Sequence, residues 1–380
     1  MRSSVALLVW SFSLVSVVGA CGNKDAPAEG TAPGVSATGQ DAQPAGPAGL
    51  LDKSPADDWP SDGGTVKVLV HSSEAREAAG GVRIVIELDV LDTASGKPIP
   101  QLDPDAIALT LDGKYVPGKY QVQTARDAGR GVALALLLPA HMSYATGPDA
   151  EQGLEINPLE EVKRGATAIL QKLTDNDRVA VFGLTEEGLR ALALWGPPSG
   201  AIASVASLGP LAEPRNVPPP LYSSIGKVLD SIAESAHDLP TRRVVLTVSD
   251  GLDVVLDKPS LLEKRMLATA ERALSPEVGA DIWALGFTLG EDAPLTTLET
   301  LVFKTRGRYR KQAVESHKEL AAAFEALGVE ATQGFVVTVI PDAGVRLPTS
   351  PIDVLELAVR VPTSGAVGRA RDYGVKLAPL

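Results

Sequence analysis

The fold is decided by the stretch Gly131-Val-Ala-Leu-Ala-Leu-Leu-Leu-Pro-Ala-His-Met-Ser143. Its seven apolar residues 132–138 follow one another without a charge, which is typical of a strand buried on both faces of a parallel sheet. Pro139 has no N–H group to donate to a sheet ladder, so the strand is predicted to end there. Sites in open α/β sheets lie beyond the carboxyl ends of the strands, and the turn 139–143 is therefore the first place to look for function.

The same apolar pattern recurs downstream and alternates with helical patterns. Three further runs, 178–184, 243–250 and 280–287, have the composition of buried strands. Apolar residues spaced three and four apart predict helices between them, over 159–173, 221–232 and 262–274. Strands that alternate with helices of about 10–15 residues predict an α/β fold, a mostly parallel sheet with helices on both faces.

Four segments, in this order along the chain, resemble the von Willebrand factor type A (VWA) family. They are the buried strand with its turn, a helix end that leads into a strand, the start of a helix, and an acidic turn with a later basic segment. After residues 131–143, the matching sequences are Leu173-Thr-Asp-Asn-Asp-Arg-Val-Ala-Val-Phe182, Pro219-Pro-Leu-Tyr-Ser-Ser-Ile225, Val248-Ser-Asp-Gly251 and Thr305-Arg-Gly-Arg-Tyr309. The resemblance covers residues 128–331 and implies a VWA/Rossmann-like sheet.

The resemblance also implies a place for a metal ion. The family's metal-ion-dependent adhesion site holds Mg²⁺, a hard ion, with oxygen ligands from three loops. By resemblance its first Asp falls on Pro139, its two Ser on His141 and Ser143, its Thr on Pro219 and its last Asp on Asp250. Only Ser143 and Asp250 keep their oxygens, so we expect a degenerate site that binds no cofactor. If a metal binds, the candidates are Mg²⁺ or a transition ion on Ser143, Asp250 and His141.

By the same resemblance, the loop before the 221–232 helix faces a ligand. It holds three successive prolines, 218–220, which suit a helix start and stiffen the loop. A rigid surface with amphipathic aromatic side chains is suited to contact with another protein. We therefore expect a protein or surface-polymer partner to touch this end of the sheet, and the candidate contact residues are His141, Ser143, Tyr144, Pro219, Tyr222 and Asp250.

Two other classes of function remain as alternatives. One is a metal-dependent adhesin with a non-standard site. The other is a hydrolase that would use His141, Ser143 and Asp250, but Ser143 lies in no G-x-S-x-G elbow. The sequence also contains no HExxH, P-loop or GxGxxG motif, and its single cysteine excludes a CxxC pair. We therefore expect a binding protein without catalytic residues.

The N-terminal residues are typical of a bacterial lipoprotein. Residues 1–20 have the basic residue and apolar core of a secretory signal. Val18-Gly-Ala-Cys21 resembles a lipobox, in which the cysteine is lipidated, and Cys21 is the only cysteine of the chain. By resemblance to envelope lipoproteins, Gly22 favours the outer membrane. An ordinary signal peptide or an uncleaved anchor is the alternative.

Composition divides the remaining chain into a tether and two β-rich segments. Residues 21–60 are rich in Ala, Gly and Pro and are predicted to form a disordered tether. Residues 61–127 and 332–380 contain alternating strand patterns, and Asp112-Gly113 predicts a tight hairpin. The first segment resembles the β domain that precedes the VWA unit in many bacterial lipoproteins. We expect the two segments to pair into one β-sandwich-like domain; two independent β modules are the alternative.

Charge argues against nucleic acid as a partner. The formal net charge is −12, which gives no long-range attraction to phosphate backbones. A basic segment that contains Lys304, Arg306, Arg308, Arg310 and Lys311 is the local exception. By the VWA resemblance it lies on or near an edge strand, where its charges either prevent edge-to-edge pairing or contact an acidic partner or phospholipid head group.

Overall fold

A computed structural model of the 380-residue chain describes nine segments: residues 49–59, 66–78, 81–141, 157–211, 217–287, 293–312, 319–345, 352–361 and 364–375. The predicted signal segment and Cys21 lie outside these residues. No helix within the nine segments combines the length and the hydrophobicity that a membrane crossing requires.

The described segments contain 14 β-strands and six α-helices. The strands are β1 (Val66–Ala78), β2 (Gly81–Asp92), β3 (Ile107–Leu111), β4 (Lys114–Tyr115), β5 (Gly118–Thr124), β6 (Val132–Pro139), β7 (Arg178–Thr185), β8 (Gly188–Gly196), β9 (Arg242–Ser249), β10 (Ala280–Phe287), β11 (Tyr309–Gln312), β12 (Phe335–Pro341), β13 (Ile352–Arg360) and β14 (Val367–Val375). The helices are α1 (Pro158–Lys172), α2 (Pro198–Ala206), α3 (Leu221–Glu234), α4 (Pro259–Leu274), α5 (Ala293–Lys304) and α6 (Leu320–Glu330).

The central sheet has six strands in the order β11-β10-β9-β6-β7-β8. All its pairings are parallel except that of β7 with β8. All eight residues of β6 are buried, and β6 pairs with β7 on one side and β9 on the other. The apolar run at 132–138 therefore forms a central strand, and the predicted α/β fold is confirmed.

Helices cover both faces of this sheet, because successive side chains of a strand point to opposite faces. Leu134, Leu136 and Leu138 belong to a core that also contains buried residues of α1, α2 and α6. Ala133 and Leu137 belong to a second core with buried residues of α3, α4 and α5. We call this sheet and its helices the α/β unit.

Two four-stranded antiparallel sheets form the sandwich, in the orders β1-β2-β12-β5 and β14-β13-β3-β4. One apolar core joins the two sheets; it contains Ile86 and Val337 from the first sheet and Leu109 and Leu357 from the second. Strands from before and after the α/β unit pair directly, β2 with β12 and β3 with β13. The predicted pairing of the two β-rich segments is therefore confirmed, and the α/β unit is inserted between them.

Two features differ from the predictions. Strand β8 was not predicted, because residues 188–196 do not alternate clearly between apolar and polar residues. Residues 49–59 were assigned to the tether, but they pack on the sandwich. Ser54 caps a 3₁₀ turn at Pro55–Asp58, Ala56 is buried, and Leu51 N donates to the Tyr115 carbonyl at 3.0 Å. Composition missed this contact because it depends on one bridge and one buried methyl group.

The sandwich meets the α/β unit through buried charges at the amino end of the central sheet. We call His71, Asp89, Arg242 and Asp281 the basal charge cluster. Arg242 Nη2 lies 2.6 Å from Asp89 Oδ2, and the two ring nitrogens of His71 lie 3.2 Å from Asp89 and 3.5 Å from Asp281. Their side chains are at most 6 % exposed. The cluster joins strands β1 and β2 of the sandwich to strands β9 and β10 of the α/β unit.

Candidate functional site

The carboxyl end of the central sheet brings together three titratable side chains. His141 follows β6, Glu186 follows β7 and Asp250 follows β9. All three are buried, with exposed fractions of 3 %, 8 % and 6 %. The turn after β6 is held to β7 by the Ala140 N–H, which donates to the Leu184 carbonyl at 2.8 Å. Parallel strands end together, so residues far apart in sequence meet here.

Burial shifts the pKa of two of these side chains, His141 and Asp250. It lowers the pKa of His141 from its usual value, although the carboxylates of Asp250 and Glu186 oppose that effect. Burial also raises the pKa of Asp250, against the opposing effects of His141 and of the Leu252 N–H, which donates to Asp250 Oδ1 at 3.1 Å. Both shifts favour the uncharged forms, because a low-dielectric environment disfavours charge. Sequence analysis missed Glu186, since one acid in a turn carries no distinguishing signal.

The loop after β9 is tied to the start of α3 by a fourth carboxylate, Asp253. Asp253 is fully buried, and its oxygens accept from the Tyr222 N–H at 3.0 Å and the Val255 N–H at 3.1 Å. The Val254 N–H donates to the Pro219 carbonyl at 3.2 Å. The N-cap residue of α3 is a proline with no side-chain hydrogen bond, so Asp253 takes the place of a capping side chain. We call Pro219, Tyr222, Asp253 and Val254 the Asp253 clasp.

The structure corrects the predicted contact surface. Tyr222 is fully buried in the core under α4, and its carbonyl accepts from Thr269 Oγ1 at 3.2 Å. Pro219 is also buried, as are His141 and Asp250. These four side chains therefore do not form an exposed contact patch, because each is packed beneath the surface rather than on it. Ser143 and Tyr144 lie outside the described residues.

The same two loops expose a different set of side chains. Val217 and Val254 are each 46 % exposed. Pro218, Pro220 and Leu252 are half-buried between them and the clasp. We call these five residues the apolar rim. Val217 and Val254 were not predicted as contact residues, because single valines in turns have no periodic pattern.

The described residues do not fit a Mg²⁺ ion. Pro139 and Pro219 have no side-chain oxygen, and the donor set nearby is an imidazole with two carboxylates. Mg²⁺ requires near-ideal octahedral geometry with oxygen ligands, which an imidazole does not supply. Among the residues that the structure describes, no three His, Cys, Asp or Glu side chains are grouped closely enough to hold a metal ion.

The strand order and helix placement define the class of protein: the α/β unit has a VWA/Rossmann-like fold. No family model and no curated protein matches the chain. One similar solved structure is "von Willebrand factor type A" from Catenulispora acidiphila, at 10 % identity and TM-score 0.41, covering 84 % of this chain and 76 % of that one.

Two further similar structures come from pili. The vWF domain of a type V pili tip protein from Porphyromonas gingivalis has 12 % identity and TM-score 0.39, with 53 % of this chain and 94 % of that one covered. The PilB minor pilin from Streptococcus sanguinis has 9 % identity and TM-score 0.41, with 70 % and 79 % covered. At these TM-scores, nothing about the function of those proteins carries over to this chain.

Proposed function

We propose that this chain is a lipid-anchored protein of the bacterial envelope that binds a protein partner through the apolar rim, without a metal ion. The observation that carries the proposal is the Asp253 clasp. It fixes the two loops with hydrogen bonds from the protein itself and leaves the side chains of Val217 and Val254 exposed beyond it.

The clasp supports metal independence. In a metal-bridged site, the ion's charge holds separate loops together. Here the Asp253 carboxylate performs this role, because it accepts from the Tyr222 N–H at the N-terminus of α3, where a helix favours negative charge, and from the Val255 N–H of its own loop. Arg265 Nη1, 3.5 Å from Asp253 Oδ1, supplies a counter-charge. These hydrogen bonds and this counter-charge support loops that keep their conformation without an ion.

The apolar rim supports a protein partner. Interface cores are depleted in charged residues, and the rim contains none. The prolines on either side of Pro219 are already restricted in conformation, so little loop entropy is lost on binding.

Anchoring rests on the sequence alone. Residues 1–20 and Cys21 are typical of a lipoprotein precursor, and the acyl chains would hold the protein in the outer membrane. Metabolic labelling with a fatty-acid analogue should mark the wild type and leave Cys21→Ser unlabelled. Equal labelling of both proteins would contradict the anchor.

Site-specific photo-crosslinking in intact cells tests the binding surface. A photoreactive residue is placed at position 217 or 254, with position 274 as the matched control, because Leu274 is also 46 % exposed but lies at the end of α4. We expect one discrete adduct from 217 and 254, no adduct from 274, and no loss of adduct in EDTA.

The variant Val254→Asp provides the energetic test. A charge in an apolar interface should weaken the adduct formed from position 217, while the urea midpoint of the variant stays that of the wild type, since Val254 is exposed. Adducts of equal strength from position 274 would contradict the proposed surface. Loss of the adduct in EDTA would instead favour the metal-dependent adhesin.

A further inference from the structure

A cavity of about 230 Å³ lies at the β11 edge of the central sheet, where the sandwich comes close to the α/β unit. Its walls come from β1, from the turn after β2, and from the segment that joins α5 to β11. Lys67, Arg308 and Arg310 line it, together with Asp92 and Phe303. We call it the edge cavity.

The two guanidinium groups of the edge cavity share one carboxylate. Arg308 Nη1 and Arg310 Nη2 both bond to Glu330, the latter at 2.6 Å. Arg308 is 7 % exposed and lies over the Trp283 ring at 5.4 Å from the ring centroid. Its Nε and Nη2 have no hydrogen-bond partner among the described residues. One positive charge and several N–H donors are therefore left uncompensated.

Lys67 brings a third positive charge to the cavity. The residue is exposed and lines the cavity. Partial burial lowers its pKa, and the guanidinium groups of Arg306 and Arg308 act in the same direction, against Asp281. The Arg306 charge is itself paired, 3.2 Å from Asp281.

Asp92 does not neutralise the remaining cations directly. Its Oδ1 already accepts from the backbone N–H and the hydroxyl of Ser95, at 2.6 and 2.7 Å. The lining residues and Glu330 thus combine three cations with two carboxylates, in a chain whose formal net charge is −12. The surplus of about one positive charge matches a carboxylate better than a doubly charged phosphate.

The rim of the cavity carries an apolar contact. Phe303 lines the cavity and is 59 % exposed, although it is a large aromatic residue at the end of α5. Exposed aromatic side chains beside a charged pocket are suited to recognise a ligand with one apolar and one charged part.

We propose that the edge cavity binds a carboxylate of an acidic peptide segment on a partner protein, with a neighbouring apolar side chain of that peptide packed on Phe303. Lys67 and Arg310 donate to the carboxylate from the mouth of the cavity, and Arg308 supplies positive charge from its buried position. This surface is separate from the apolar rim, so the chain has two contact sites.

Calorimetric titration of the full chain tests the proposal. The probes are acetyl-Phe-Glu-amide and its uncharged counterpart acetyl-Phe-Gln-amide. We expect saturable binding of the Glu peptide, about tenfold or more weaker binding of the Gln peptide, and weakening of the Glu peptide at high salt.

Two lining variants and one matched control complete the test. Lys67→Gln and Arg310→Gln should each weaken the Glu peptide about tenfold. Lys304→Gln removes the same charge from the same basic segment, but residue 304 does not line the cavity and the variant should bind normally. Equal affinity for the two peptides, no saturable binding, or an equal loss in Lys304→Gln would overturn the proposal. Competition by inorganic phosphate that is stronger than competition by acetate would overturn the carboxylate assignment.

Discussion

Strand β9 has a buried charged residue at each of its ends, and the two ends treat that residue differently. At its amino end Arg242, 5 % exposed, pairs with Asp89. Beyond its carboxyl end Asp250, 6 % exposed, interacts with His141 rather than with a guanidinium group. The burial is the same, but the buried carboxylate faces a permanent cation at the amino end, where Asp89 meets Arg242, and a weak base at the carboxyl end, where Asp250 meets His141.

This difference separates a structural junction from the end of the sheet at which we propose binding. In the basal charge cluster burial would raise the pKa of Asp89, but Arg242 and His71 outweigh it and hold that pKa below its usual value. The charges stay, and they join the sandwich to the α/β unit. At the carboxyl end burial prevails: it lowers the pKa of His141 and raises that of Asp250, and both shifts favour the uncharged forms. An end with less charge costs less to cover with a partner.

The largest effect is expected at the amino end. Arg242→Met should lower the free energy of unfolding by about 3–5 kcal/mol, because it leaves the Asp89 carboxylate buried without its counter-charge. Urea denaturation measures this. The matched control is Lys53→Met. Lys53 pairs with Asp58, and the two side chains are 71 % and 70 % exposed, so this substitution should change the free energy of unfolding little. Equal effects of the two substitutions would mean that the basal charge cluster does not hold the sandwich and the α/β unit together.

At the carboxyl end, loss of the Tyr222 side chain should lower the free energy of unfolding by nearly as much, through lost apolar packing rather than lost charge pairing. Tyr222→Ala should cost about 3–5 kcal/mol, because it empties a fully buried aromatic site. Tyr222→Phe should be neutral or stabilising, since the phenol oxygen has no hydrogen-bond partner among the described residues and burial raises its pKa. If Tyr222→Phe were less stable than the wild type, the hydroxyl would contribute to stability and this prediction would be wrong.

A smaller effect is expected from the Asp253 clasp. Asp253→Ala should lower stability by about 1–2 kcal/mol, the range for loss of an N-terminal helix cap. Asp253→Asn keeps an oxygen that can accept from the Tyr222 N–H and should lose less. Both the urea midpoint and the crosslinking adduct from position 254 should follow this order. An adduct unaffected by Asp253→Ala would show that the loops keep their conformation without the clasp.

The smallest effect is a pH dependence at His141. Because burial lowers its pKa from 6.5, the unfolded chain holds the proton more tightly than the folded chain between the lowered value and 6.5. Stability from this group therefore rises with pH across that window. Relative to His141→Asn, the wild type should gain stability when pH is raised from about 5.5 to about 7.5.

The neighbouring carboxyl group acts in the opposite direction. Burial raises the pKa of Asp250, so its contribution to stability falls as pH rises above 3.8. Repeating the His141→Asn comparison in an Asp250→Asn background separates the two groups. A wild type and variant with parallel pH curves would contradict the buried, neutral imidazole.

The basic segment that was predicted to lie at an edge does so, since β11 is the last strand of the central sheet. Its two predicted roles are not exclusive. Arg308 and Arg310 are paired with Glu330 inside the protein, whereas Lys304 points to solvent. Sequence analysis could not distinguish these residues, because the carboxylate that pairs with them comes from a helix about 20 residues later.

The sequence alone determined that the chain forms a central parallel sheet and a separate β-sandwich. A strand of uninterrupted apolar residues must be buried on both faces, which predicts the central sheet of the α/β unit. A strand of alternating apolar and polar residues is buried on one face only, which predicts the sandwich. The tertiary structure alone decided which side chains the carboxyl end presents. Tyr222 lies at the start of α3 and Val254 in the loop after β9, but Tyr222 fills the core beneath α4 and Val254 is exposed. That outcome depends on the Asp253 clasp, which joins residues 31 positions apart, and a contact at that separation leaves no periodic trace in the chain.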